Sequence, residues 1–154
     1  MGFSIVGLLI AIIIVLPSII FATKFPPKNI PNGVDSTNKI FNILENIGQI
    51  SCLTIIVISK YLFDNFTVNI WTIIITISII LYYALWIRYV VKGGDYSLLV
   101  KPFLFIPIPL AILPILVFGS IAIMNSAIIL GIATICLAIG HITISYENYK
   151  LTRK

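Results

Sequence analysis

Three ionisable side chains, Glu45, Arg88 and His141, stand inside long apolar runs of this chain. A charge placed within a membrane span is costly, so each marks either a functional group or a paired structural one. Counted at the helical rise, Glu45 lies about six residues, or about 9 Å, inside its run, Arg88 about three residues and His141 about five. All three reach a similar depth beneath one face. At one depth, Glu45 and Arg88 can form an ion pair with His141 hydrogen-bonded beside them. The same groups can line a polar pocket for a ligand, ion or proton, or act with Glu45 and His141 as acid and base. In a further arrangement Arg88 reaches up to the headgroups and leaves Glu45 protonated, because burial disfavours the charged carboxyl.

Asn42, Glu45, Asn46 and Gln49 occupy i, i+3, i+4 and i+7, one face of a helix. Such a stripe must face other helices or a water-filled vestibule. Thr134 and Ser145 share a face with His141, and Tyr82, Tyr83, Trp86, Tyr89 and Tyr146 lie at the same level as an interfacial belt or as cavity walls. The expected ligand-binding set is therefore Asn42, Glu45, Asn46, Gln49, Arg88 and His141, with no catalytic residue and no metal ligand assigned. Cys52 and Cys136 form no Cys-x-x-Cys, which disfavours thiol redox chemistry. One histidine is too few for the common metal or haem sites, and there is no His-Glu-x-x-His, P-loop or dinucleotide fingerprint. No cofactor is expected.

The elements that must position these residues are membrane helices. The 154 residues are 60% hydrophobic and 10% charged, against about 45–50% and about 25% in a soluble domain; mean hydropathy is +1.14. That excludes a soluble globular domain, a disordered chain and a disulfide scaffold. Five runs, 3–22, 39–62, 68–91, 103–124 and 126–146, are long enough to cross the hydrocarbon. None alternates as barrel strands do, so the expected fold is one all-α transmembrane domain, 1–154, of five helices. The first run has no basic n-region and exceeds signal-peptide length, so it is read as an uncleaved span, and Val6 argues against myristoylation at Gly2. Asn65-Phe66-Thr67 matches the glycosylation triplet in a very short loop.

Charge sets the expected orientation. Lys24, Lys28 and Lys39 flank loop one; Arg88, Lys92 and Lys101 flank loop three; Lys150, Arg153 and Lys154 follow the last span. Of the 10 Lys and Arg residues, only Lys60 falls on the other side, which puts the N-terminus outside and the C-terminus in the cytoplasm. The bias opposes dual topology, and five spans give no simple inverted repeat. The net charge of +5 addresses anionic lipid headgroups at the cytoplasmic face, not nucleic acid. Loop one, with Pro26-Pro27 and Asn32-Gly33, reads as an ordered strap, and Gly93-Gly94-Asp95-Tyr96 as a turn.

Proline marks the fourth span. Pro107 and Pro109, two residues apart, and then Pro114 each remove an amide donor and clash with the carbonyl four residues back. The cytoplasmic third of this helix should be kinked or broken, either as a static bend or with freed carbonyls lining the pocket; Pro17 is read as a plain bend. Gly7 with Ala11, and Gly131, Ala138 and Gly140, suit close helix contacts within the monomer, or a homodimer face.

Taken in order, Leu44-Glu45-Asn46-Ile47-Gly48-Gln49, Leu85-Trp86-Ile87-Arg88-Tyr89, Ile106-Pro107 with Leu113-Pro114, and Ile139-Gly140-His141-Ile142 resemble an uncharacterised family of small five-span membrane proteins of Gram-positive bacteria. The resemblance implies a multi-pass protein of a bacterial plasma membrane and carries no substrate. The leading expectation is a non-catalytic protein that binds, or helps to transport, a small amphipathic or lipid-like ligand in a polar cavity of the cytoplasmic leaflet. The rivals are an integral membrane enzyme acting on a lipid or isoprenoid, and an accessory or immunity-type protein working through helix contacts.

Overall fold

The computed structural model describes residues 2–34, 38–64 and 68–153; the Asn65-Phe66-Thr67 triplet and Lys154 lie outside them. The described residues are all-α, with helices α1 (Ile5–Lys24), α2 (Lys39–Ile58), α3 (Tyr61–Asp64), α4 (Ile70–Val91), α5 (Ser97–Val100), α6 (Pro109–Met124) and α7 (Ile128–Leu151). Three of them, α2, α4 and α7, are long and apolar enough to cross a membrane; the apolar stretches Ile5–Phe21 and Pro109–Met124 are shorter.

Helix boundaries follow local chemistry. Ser4 caps α1 by accepting the Gly7 amide at 3.0 Å, and Asn38 accepts the Ile40 amide at 3.0 Å to start α2. Asn69 opens α4 in a reciprocal capping box with Thr72. The expected run 39–62 breaks at Ser59–Lys60 because the N-terminal segment takes its backbone groups. Gly2 donates to the Ile58 carbonyl and accepts from the Lys60 amide, both at 2.9 Å. The expected run 103–124 becomes helical only at Pro109, which stands in the first turn, where its missing amide costs no bond. Ahead of it Leu104 and Ile108 take left-handed φ values of 54° and 51°; at Ile108 this is strained, because the residue is β-branched and the following Pro109 favours extended backbone there.

Packing then brings the helices together unevenly. α2 and α7 touch backbone to backbone, because a Cβ at Gly48 would overlap Leu137 and one at Gly140 would overlap Glu45 and Phe41. α1 crosses the bundle. Its start lies on α2, with Gly7 over the Ile56 carbonyl, whereas its later half bonds to α4. Tyr83 donates to the Ile13 carbonyl at 2.9 Å and Tyr82 to that of Ile14 at 3.1 Å. Phe21 stacks on Trp86, with centroids 5.0 Å apart.

The main core, including Ile14, Cys52, Ile56, Ile75, Phe118, Ile121 and Leu130, fills the bundle towards the end where Gly2 meets Ser59. At the opposite end loop one docks on loop three. The Lys28 amide donates to the Gly94 carbonyl at 2.8 Å and the Tyr96 amide to the Lys28 carbonyl at 2.9 Å. Because α1 leaves α2 for α4 as it runs toward this end, a space opens among α1, α2, α4, α6 and α7.

Candidate functional site

Gly140 and Gly48 let α2 and α7 approach closely, and the contact sets His141 against Glu45. The imidazole Nδ1 lies 2.5 Å from the Glu45 Oε1, with the side chains 31% and 22% exposed respectively. Neither ring nitrogen Nε2 nor Glu45 Oε2 has a further hydrogen-bond partner among the described residues. With Nδ1–H donating to the carboxylate, Nε2 presents a lone pair.

The pair borders a cavity of about 310 Å³. Its polar wall is Asn42 and Glu45 from α2 and His141, Ser145 and Asn148 from α7. The other wall is Ser18 of α1, Tyr82 and Trp86 of α4, Tyr96, Leu99 and Val100, and Leu110 and Ala111 at the start of α6. A narrower chamber of about 80 Å³ adjoins it, sharing Ser18, Tyr82, Leu110 and His141, and runs among Ile14, Gln49, Leu53, Pro114, Phe118 and Leu137. Together the two form a polar chamber leading into an apolar slot, with His141 at the junction.

Several groups in this space lack protein partners. Asn148 is 7% exposed, yet its side-chain amide makes no hydrogen bond among the described residues. The Trp86 indole N–H is buried and, beside the Tyr82 ring, makes no hydrogen bond of ordinary geometry among the described residues. Pro114 has no amide hydrogen to give the Leu110 carbonyl, and both residues line the slot.

The sequence-derived set divides. Asn42, Glu45 and His141 converge on the polar chamber and Gln49 on the slot. Asn46, although on the same stripe, is exposed and borders neither. Arg88 is elsewhere. Its guanidinium lies over the Phe103 ring at 5.0 Å, with Nη1 buried and unpaired among the described residues, so Glu45 is partnered by histidine and not by arginine. Pro107 precedes α6, Pro109 begins it and Pro114 lies within it. Thr134 turns away to the Leu130 carbonyl at 2.7 Å, and Tyr83 and Tyr89 serve α1 and loop one through the Ile13 and Phe25 carbonyls.

Asn148 was not among the expected residues. It lies at i+7 from His141 and i+3 from Ser145, on one helix face, but past the expected apolar run 126–146. The helix itself continues to Leu151. No three of the described His, Cys, Asp and Glu residues converge as a metal site would require. No protein-family model, curated protein or solved structure matches the chain.

Proposed function

We propose that this chain is a five-span membrane protein, N-terminus outside, that binds a small amphipathic or lipid-like ligand in the chamber beside Glu45 and His141, on the cytoplasmic-leaflet side. The observation that carries this is a paired carboxylate and imidazole on the wall of a cavity of about 310 Å³, with the Asn148 amide beside it making no hydrogen bond among the described residues. A helix bundle that needed Glu45 and His141 only as a clasp would close around them, since unfilled space forfeits packing. The Pro109 start of α6 and the divergence of α1 keep the space open. The position among basic loops favours the inner leaflet, and the resemblance to small five-span proteins of Gram-positive bacteria favours a bacterial plasma membrane.

Purified protein, screened against a panel of lipids, should gain thermal stability with its ligand. Glu45→Gln and His141→Ala should reduce that gain. Equal stabilisation of the variants and the wild type by every active lipid counts against the site.

A second reading draws on the orientation of the pair. A carboxylate holding Nδ1 leaves Nε2 available as a general base, so an enzyme acting on a lipid or isoprenoid is the alternative. It requires turnover of the bound lipid that His141→Ala abolishes while binding persists.

A further inference from the structure

Resting on that ligand-binding reading, we infer that the chamber takes an uncharged hydroxyl head on an acyl or alkyl chain, such as a diacylglycerol or a long-chain alcohol, and not a phosphate head. The lining decides this. Among the described residues that line the two chambers there is one carboxylate and one imidazole and no lysine or arginine. Arg88, the cation nearest in depth by sequence, is turned onto Phe103. A phosphate would bring its negative charge beside the Glu45 carboxyl, where the one imidazole is already engaged with that carboxyl and no guanidinium or ammonium lines the described wall; like charges at close range in a part-buried site are unfavourable.

A hydroxyl suits what is present. As a donor it can satisfy His141 Nε2 or the free Glu45 Oε2; as an acceptor it can take the Asn148 amide or the Trp86 indole N–H. The Leu110 carbonyl, deprived of its helical donor by Pro114, is a further acceptor on the same wall. Polarity runs in the matching direction. Beyond His141 the slot is walled mainly by Ile14, Leu53, Phe118 and Leu137, which receives the first part of the chain. The slot is too small for a whole acyl chain, so the remainder passes out where α1 has left α2.

The test uses the full chain in phosphatidylcholine nanodiscs containing dioleoylglycerol, oleyl alcohol or dioleoyl phosphatidic acid at equal mole fraction. Either hydroxyl lipid should raise the unfolding midpoint more than phosphatidic acid does, and whichever does so identifies the source. His141→Ala should weaken its apparent affinity by about tenfold, the loss expected for one part-buried hydrogen bond. Trp86 gives a readout that needs no site variant. With Trp71→Phe leaving a single indole, a brominated-chain diacylglycerol should quench fluorescence more than brominated phosphatidylcholine or phosphatidic acid does. Stabilisation by phosphatidic acid equal to or above that of the hydroxyl lipids, and still dependent on Glu45 and His141, overturns the head-group inference and leaves the binding site standing. If no lipid stabilises and all brominated lipids quench alike, both fall.

Discussion

Pro17 cannot donate to the carbonyl of Ile13, and in the folded chain the Tyr83 hydroxyl does so instead, at 2.9 Å. The proline is legible in the sequence as a bend, but nothing in the sequence says which hydroxyl answers it, since Tyr83 lies seventy positions on. Tyr83→Phe should therefore destabilise the protein by about 1 kcal/mol, the usual worth of one such bond. The cost should shrink in a Pro17→Ala background, where the helix satisfies Ile13 itself; unfolding in mild detergent measures both. A similar limit applies to Glu45, Arg88 and His141. Their shared depth follows from position along each run, but the direction each faces depends on how each helix is rotated, and that is fixed by the partners of the helix. A double-mutant cycle between Glu45→Gln and His141→Ala should give a coupling of about 1 kcal/mol, in the range of hydrogen bonds between membrane helices. The same cycle with Arg88→Gln in place of the histidine change should give none. Coupling to Arg88 as large as that to His141 would contradict the pairing described.

At the scale of elements, the α2–α7 seam is what turns two polar stripes into one wall. Asn42, Glu45 and Gln49 on one helix meet His141, Ser145 and Asn148 on the other only because Gly48 and Gly140 carry no side chain. Gly140→Ala sets a methyl into the Glu45 and Phe41 backbone, so it should cost about 1–3 kcal/mol, as overpacking does, and should also abolish ligand-induced stabilisation. Gly131 has nothing within 4 Å of its missing Cβ. There alanine should stabilise by about 0.5–1 kcal/mol, the helical preference over glycine. Opposite signs from the same substitution on one helix separate packing from propensity, and equal effects would show that the seam is not tight. The small residues of α7 were visible in the sequence as a class. Which of them lay at a contact was not, because glycine spacing alone does not distinguish a seam from an open face. Hydropathy likewise marked the apolar runs but overran the ends of two. Ser59–Lys60 is broken by pairing with Gly2, a long-range contact, and 103–108 by prolines whose position was plain but whose unwinding extends beyond the prolines themselves.

For the molecule as a whole, the two loops at the cavity end act as one strap. Lys28 bridges Asp95 through the backbone, and the Asn29 side-chain amide donates to Asp95 Oδ2 at 2.9 Å while the Ser97 amide donates to Oδ1 at 2.9 Å. These bonds, led by the Asn29 amide and followed by the Ser97 hydroxyl and amide, hold the Asp95 carboxyl below its ordinary value of 3.8. A carboxyl depressed by folding supports the folded form above its unfolded pKa, and that support is lost as pH falls through the folded one. Asp95→Asn should accordingly lower the unfolding midpoint slightly at neutral pH, and the difference from wild type should fade as the pH drops below about 4. A difference that persists unchanged into acid would mean that the carboxylate charge has no part in docking. The strap also bears on entry to the cavity. It ties the Phe25 end of α1 to the Tyr89 end of α4, where the Tyr89 hydroxyl donates to the Phe25 carbonyl at 2.9 Å, and so holds α1 away from α2 at the end where Glu45 and His141 wait. Loosening it by Asn29→Ala together with Tyr89→Phe should let α1 swing back over the opening. Ligand-induced stabilisation should then fall although every residue of the chamber is intact, whereas a chamber entered by some other route would keep its full response.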